Sequence, residues 1–281
     1  MILAPLRGVT IKCFRETFSR EIAECGFEEA ITPFISANRG VDPMKDRELA
    51  KGSGLGGGGA FIVTPQFIGK DPYALEECLK KTKDAGYRFA DLNAGCPFPM
   101  VRNKGRGSGL LHDAKNFAKM LESGCKIMGE GNFSVKTRLG VERADELEAL
   151  MPLLNKFPLR FITVHARTAK EMYSGEPHME EFSRIKSLSR NRVIYNGDAT
   201  LSQKCNDVMV GRAFVRWLGE REDAAELLKR YIAASVKELG TGGGITGRIK
   251  ELVSYWKDTP RWKKLWPVMK LARNLTELEI F

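Results

Sequence analysis

Short apolar runs rich in β-branched and aromatic residues recur through the first three-quarters of the chain, and the stretches between them carry helical periodicity. Ile2–Ala4, Glu29–Thr32, Phe61–Gln66, Phe89–Asn93, Phe133–Thr137, Phe161–His165, Val193–Asn196 and Val208–Val210 read as eight strands. Among the helical stretches, Asp71–Ala85 opens on the helix-start pair Asp71-Pro72, and Ala114–Ser123 sets Phe117, Met120 and Leu121 on one face. Strands that alternate with helices imply a parallel sheet, and eight repeats of the unit predict an α/β fold of the (β/α)8 TIM-barrel type.

The predicted strands end in polar or Gly/Pro-rich tails, among them Ala4-Pro5, Gln66, the run Asn93 to Pro97, Lys136-Thr137-Arg138, His165-Ala166-Arg167, Asn196-Gly197-Asp198 and Gly211-Arg212. In a parallel barrel these ends converge on the face where active sites form, so residues far apart in sequence are expected to line one pocket. The seventh unit is irregular. Only residues 199–207 separate Asp198 from Val208, too few for a full helical crossover, so its helix is expected to be a turn or absent.

Two glycine-rich stretches invite nucleotide readings that fail. Gly52–Gly59 lacks the Lys-Ser/Thr of a phosphate loop and reads as a flexible loop. Gly242, Gly244 and Gly247 match the spacing of a dinucleotide fingerprint, but no strand precedes them, and 240–247 reads as a linker. The organisation expected is therefore a barrel over 1–239, the linker 240–247 and a helical domain over 248–281.

Charge changes the picture at the C-terminal end. The 281 residues carry 45 Lys+Arg and 35 Asp+Glu, a formal +10. Arg248, Lys250, Lys257, Arg261, Lys263, Lys264, Lys270 and Arg273 stand against Glu251 and Asp258, so +6 lies between 248 and 273. Trp256, Trp262, Trp266 and Tyr255 share that stretch. Interleaved bases and aromatics suit a nucleic-acid surface, while such tryptophans also serve as the core of a small bundle. The six cysteines form no C-x-x-C pair, which argues against a zinc cage or a disulfide framework. With no apolar run near the roughly 20 residues of a membrane helix, and MILAPLRG too short for a signal peptide, a cytoplasmic, non-membrane, metal-free protein is expected.

Leu92-Asn93-Ala94-Gly95-Cys96-Pro97, then Val101 and Gly105-x-Gly107-Ser108-x-Leu110-Leu111, resembles the signature of the tRNA-dihydrouridine synthases. The resemblance continues in order through Ala4-Pro5-Leu6-x-Gly8-Val9-Thr10, Gln66-x-x-Gly69-x-Asp71-Pro72, Val135-Lys136-x-Arg138-Leu139-Gly140, Val164-His165-Ala166-Arg167-Thr168, Asn196-Gly197-Asp198 and Met209-Val210-Gly211-Arg212, and spans residues 1–235. It implies an FMN-binding barrel, a C-terminal helical domain that binds tRNA, and reduction of a uracil C5–C6 bond by NADPH or NADH through reduced flavin; a monomer is expected.

By that resemblance Cys96 is the general acid that protonates C5, a step open to a thiol because its ordinary pKa of about 8.5 keeps it protonated at neutral pH. Lys136 is expected beside the flavin pyrimidine ring, His165 and Gln66 against the flavin, and the backbone of Pro5, Leu6 and Arg7 along the isoalloxazine. Asn196, Gly197, Asp198, Gly211 and Arg212 are expected to hold the FMN phosphate, since barrels build phosphate sites at the ends of strands seven and eight. Asn93 is assigned to the target uracil and Arg167 to RNA or flavin, whereas His112 and His178 read as structural. Three features depart from the family pattern: Arg7 stands where a small residue is usual, Met100 where Lys is usual, and the seventh unit is short. Two competing readings are a dihydroorotate- or dihydropyrimidine-type flavin dehydrogenase on free pyrimidines and a non-catalytic RNA-binding barrel.

Overall fold

In a computed structural model of the chain, residues 1–49, 60–202, 205–240 and 243–278 are described. Ten strand segments form one sheet: β1 Ile2–Leu3, β2 Glu29–Ile31, β3 Ile35–Ser36, β4 Ile62–Thr64, β5 Gln66–Ile68, β6 Ala90–Ala94, β7 Phe133–Gly140, β8 Ile162–Thr168, β9 Val193–Asn196 and β10 Val208–Val210. All pairings are parallel, in the order β3-β5-β6-β7-β8-β9-β10-β1-β2-β4.

The two ends of that order are not free edges. Segment β3 continues β2 after Pro33, and β5 continues β4 after Pro65; proline has no N–H for the ladder, so each strand is interrupted once. The breaks are stitched by Thr32 N–H to the Thr64 carbonyl at 3.0 Å and Gln66 N–H to Thr32 Oγ1 at 3.1 Å. Counted as chain-level strands there are eight, each at a predicted position, and the sheet closes into the expected barrel.

The helices α1 Lys12–Thr17, α2 Ser19–Glu24, α3 Pro72–Asp84, α4 Pro99–Arg102, α5 Ala114–Met128, α6 Glu146–Leu154 and α7 Met179–Leu188 fall between the strands, and caps and buried stripes set the longer ones. Asp71 accepts from Tyr73 N–H at the start of α3, and Asp113 accepts from Asn116 N–H at the start of α5. The latter runs past the expected end at Ser123 because Ser123 and Gly124 are buried, with Gly124 set directly against the Phe133 ring. Between β9 and β10 the described residues form only a turn, as the short spacing predicts. Gly52–Gly59 lies outside the described residues.

After the barrel's α8, Arg212–Glu220, and α9, Ala224–Leu239, come α10, Gly243–Ser254, and α11, Pro260–Met269. The linker expected over 240–247 is thus corrected: residues 243–247 already belong to α10. Burial of Ile245, Ile249, Leu252 and Val253 outweighs the poor helix propensity of the glycines. These helices share one hydrophobic cluster with Phe14 and Phe18 near the N-terminus and with Phe214 and Tyr231 of α8 and α9. Trp256 and Trp262 lie inside it, donating Nε1–H to the carbonyls of Val215 at 2.6 Å and Gly219 at 3.0 Å. Both are core residues and are unavailable for base stacking. Among the described residues, no helix is long and apolar enough to cross a membrane.

Candidate active site

A cavity of about 730 Å³ opens at the C-terminal ends of the strands. Its floor is the loop after β6. There Asn93 Oδ1 accepts the N–H groups of Gly95 at 3.2 Å and Cys96 at 2.9 Å, and the Cys96 carbonyl accepts from Ser108 Oγ at 2.9 Å. The Gly-x-Gly-Ser run is placed by this contact. Gly107 has φ +57° and packs so closely that a Cβ would come within 2.8 Å of Cys96 Cβ, so only glycine fits. Cys96 is 7% exposed and lines the cavity. Burial raises its thiol pKa, keeping it protonated at neutral pH; the Phe98 backbone N–H and the positive charges of Arg7, Arg138 and Lys136 act in the opposite direction, toward the thiolate.

Lys136 and Arg138 stand two residues apart on β7 and both line the cavity, as alternation along a strand requires. Burial, helped by the neighbouring Arg138 charge, lowers the Lys136 pKa to about 8, and burial lowers that of Arg138 to about 10. Arg138 is fixed by donating to the carbonyls of Gly95 at 3.0 Å, Thr168 at 2.8 Å and Met172 at 2.7 Å. His165 is held neutral, first by burial and then by the surrounding Arg138, Lys136, Arg167 and Arg212 charges. Tyr173 lies against Arg138, Arg212 and His165, with the two guanidinium carbons 5.5 and 5.1 Å from its ring centre. Met172 before it holds φ 55°, a left-handed backbone unusual for methionine, where the chain turns over the site.

The cavity wall near β1 is shaped by Thr10, whose hydroxyl accepts from Leu6 N–H at 2.7 Å and donates to the Ala4 carbonyl at 3.0 Å. The Arg7 guanidinium lies over the Phe34 ring at 5.4 Å. Glu251 of α10 and Tyr255, in the turn just after it, reach the same cavity, and a Cβ on Gly8 would sit 2.5 Å from the Glu251 carboxylate. On the opposite side Asn196 Nδ2 donates to the Met209 carbonyl at 2.9 Å, and Gly211 caps the start of α8.

Of the residues expected at a site, Pro5, Leu6, Arg7, Gln66, Asn93, Cys96, Lys136, His165, Asn196, Gly197, Gly211 and Arg212 all line this one cavity. Two do not. Arg167 is only 2% exposed and lies behind the lining; it pairs with Asp198 at 2.6 Å and donates to the carbonyls of Ser174 at 3.1 Å and Gly175 at 2.6 Å. Asp198 likewise serves Arg167 and Arg212, at 2.6 and 2.7 Å, rather than the cavity. The pair orients Arg212 and the loop bearing Tyr173. Asn93 has both lone-pair directions of Oδ1 engaged by backbone, which makes it foremost the support of the Cys96 loop. Arg138, named in the sequence only as part of a strand-end tail and given no role there, also lines the cavity; sequence reasoning missed Tyr173, Glu251 and Tyr255 at the cavity, and Asp91 beneath it.

The barrel places a cation-rich cavity, with a protonated thiol on its floor, at the end where α/β barrels carry their chemistry. The matching family model is that of dihydrouridine synthase (Dus), over residues 2–216, and the chain belongs to this family. A probable tRNA-dihydrouridine synthase of Rickettsia bellii is 31% identical over 75% of this chain and 66% of its own length. The tRNA-dihydrouridine synthase B of Pseudomonas aeruginosa is 29% identical over 74% of this chain and 61% of its own. The chain thus spans just under two-thirds of the length of these relatives. Among solved structures, a morphinone reductase variant in complex with tetrahydroNAD aligns with a TM-score of 0.55 at 10% identity, covering 76% of this chain and 83% of that one. The old yellow enzyme homologue from Zymomonas mobilis aligns with a TM-score of 0.55 at 11% identity, covering 77% and 85%. Both share the barrel.

Proposed function

We propose that the protein is an FMN-dependent reductase that converts a uridine in tRNA to 5,6-dihydrouridine with NADPH, or NADH, as the electron source. The observation that carries the reading is the protonated Cys96 thiol on the floor of a cavity ringed by Lys136, Arg138 and Arg212, in a chain of the dihydrouridine synthase family.

The residues present fit FMN. The cavity has the size of a cofactor site. Among the described residues Lys136 has one hydrogen-bond acceptor, Asn196 Oδ1, so its remaining N–H groups can meet a flavin edge that gains negative charge on reduction. Gly197, just after β9, and Gly211 and Arg212, at the start of α8, offer backbone N–H groups and a cation to a phosphate. Asp198 and Arg167 would act behind this subsite by orienting Arg212.

FMN held by these residues would, in its reduced form, supply the hydride for C6 of the uracil. Cys96 donates its thiol proton to C5, which completes saturation of the C5–C6 bond and leaves a thiolate. Arg7, Arg138, Lys136 and the Phe98 N–H stabilise that thiolate until solvent returns the proton. The neutral His165 ring and the Gln66 amide border the pocket without adding charge. A uridine within folded tRNA must be flipped out to reach a cavity this deep. The rest of the RNA would be held by exposed cations on and around α11, namely Lys257, Arg261, Lys263, Lys264, Lys270 and Arg273. Lys257, Lys263, Lys264 and Lys270 have no ion-pair partner among the described residues. A cytoplasmic monomer suits this role.

The test is incubation of the purified protein with FMN, NADPH and an unmodified tRNA transcript, followed by mass spectrometry of the nucleosides. Dihydrouridine is expected in the tRNA and not from free uracil. Reduction of the free base alone, or failure to retain FMN, would overturn the proposal.

A further inference from the structure

Beneath the cavity a side-chain chain runs from the barrel interior to the Cys96 loop. Asp91 is fully buried; its Oδ1 accepts from Ser134 Oγ at 2.6 Å and its Oδ2 from Gln66 Nε2 at 2.8 Å. Gln66, also fully buried, accepts with Oε1 from Asn93 Nδ2 at 2.8 Å. Asn93 Oδ1 then accepts the backbone N–H groups of Gly95 and Cys96.

The direction of this chain is decided at one end. A carboxylate has only acceptors, so Gln66 must turn its nitrogen toward Asp91 and its oxygen toward Asn93. Asn93 must then meet Gln66 with its nitrogen, which leaves its oxygen for the two backbone N–H groups. An amide flip at either residue sets oxygen against oxygen, or N–H against N–H, in a buried place where unmatched polar groups are costly. Burial raises the Asp91 pKa to about 6, which still leaves it ionised at neutral pH.

We propose that Asp91 is a positioning residue whose carboxylate, acting through the amides of Gln66 and Asn93, sets the orientation of the Cys96 loop and aims the thiol into the cavity. It touches neither Cys96 nor the cavity itself; it fixes the polarity of two amides that do line it. The inference builds on the reading of Cys96 as the proton donor.

Reversal of polarity tests it. Asn93→Asp sets a carboxylate against Gln66 Oε1, and a flip of Gln66 merely moves the clash to Asp91. In the double variant Asn93→Asp with Asp91→Asn the chain can run the other way. The amide introduced at position 91 donates to Gln66 Oε1, and Gln66 donates to the carboxylate introduced at position 93, which still accepts from Gly95 and Cys96. The readout is the rate at which iodoacetamide alkylates Cys96 in flavin-free protein, followed by peptide mass spectrometry. Asn93→Asp should change that rate by about tenfold, the scale of one unmade buried hydrogen bond, and the double variant should return it to near the unsubstituted rate. An unchanged rate in Asn93→Asp, or no rescue in the double variant, would overturn the proposal. If Asn93→Asp does not fold, heteronuclear NMR of the unsubstituted protein decides: the Gln66 and Asn93 side-chain amide protons should exchange slowly with solvent, and fast exchange overturns it. Neither measurement uses tRNA or flavin, so this relay and the reductase reading can fail independently.

Discussion

Lys136 and Asn196, on strands β7 and β9 that are not neighbours in the sheet, meet across the barrel mouth with Nζ donating to Oδ1 at 2.9 Å. The meeting is directed: Asn196 gives its amide nitrogen to the Met209 carbonyl, so its oxygen faces the lysine. With a pKa lowered to about 8, Lys136 is charged below that pH and neutral above it. FMN affinity, read from quenching of flavin fluorescence, should therefore stay level up to pH 8 and weaken as pH rises beyond it. Lys136→Met should lower the affinity by about tenfold at pH 7, the scale of one charge-assisted hydrogen bond, and remove the pH step.

Cys96→Ala takes away the proposed proton donor but little volume. Uridine reduction should fall by about 100-fold or more, since general acid catalysis contributes about 10² to 10⁴. Flavin and tRNA affinities should hold. The comparison requires single-turnover rates of dihydrouridine formation beside both binding constants; an undiminished rate removes Cys96 from the chemistry.

Asp198 holds the buried Arg167 at 2.6 Å while remaining half-exposed itself. Asp198→Asn should destabilise the fold by about 1–2 kcal/mol at pH 7, the cost of weakening a charged hydrogen bond to a buried group. The Arg167 hydrogen bond lowers the folded-state pKa of Asp198. Its contribution is therefore present above the unfolded value of about 3.9 and disappears as pH falls through the lower folded value. Urea midpoints of the two proteins should differ at neutral pH and converge toward strong acid.

Much of this was legible in the sequence. Strands buried on both faces must be apolar, and all eight appear as apolar runs at their observed places. The strand-end signal located Cys96, Lys136 and His165 because a parallel barrel sends those ends to one face. Period-two alternation, carried further, would have turned Arg138, already in the strand-end tail, toward the cavity with Lys136, and would have added Asp91 two residues before Asn93. Glu251 and Tyr255 carried no such signal, since only the docking of α10 over the β1 loop brings them to the cavity. That docking depends on space at Gly219, where a Cβ would run into the Trp256 ring, a long-range fit that no local pattern encodes. The same packing removes two tryptophans from the surface and leaves charge as the feature that the C-terminal helices show to solvent.

Charge alone therefore makes a quantitative demand on the proposed tRNA binding. Each lysine that neutralises a phosphate releases a counterion, so log affinity falls with log salt at a slope of about 0.7 to 0.9 per contact. Lys257, Lys263 and Lys264 are exposed, lie on or beside α11 and support no packing, so Lys257→Glu with Lys263→Glu and Lys264→Glu should leave the melting temperature within a degree or so of the parent, as surface changes away from packed or paired groups do. If all three contact RNA, the triple variant should reduce the salt slope of tRNA binding by about 2 to 3 and lower affinity steeply at low salt. FMN affinity should not change, because none of the three lines the cavity. Filter binding across a salt series separates the outcomes: an unchanged slope would show that the RNA is held by another face of the barrel.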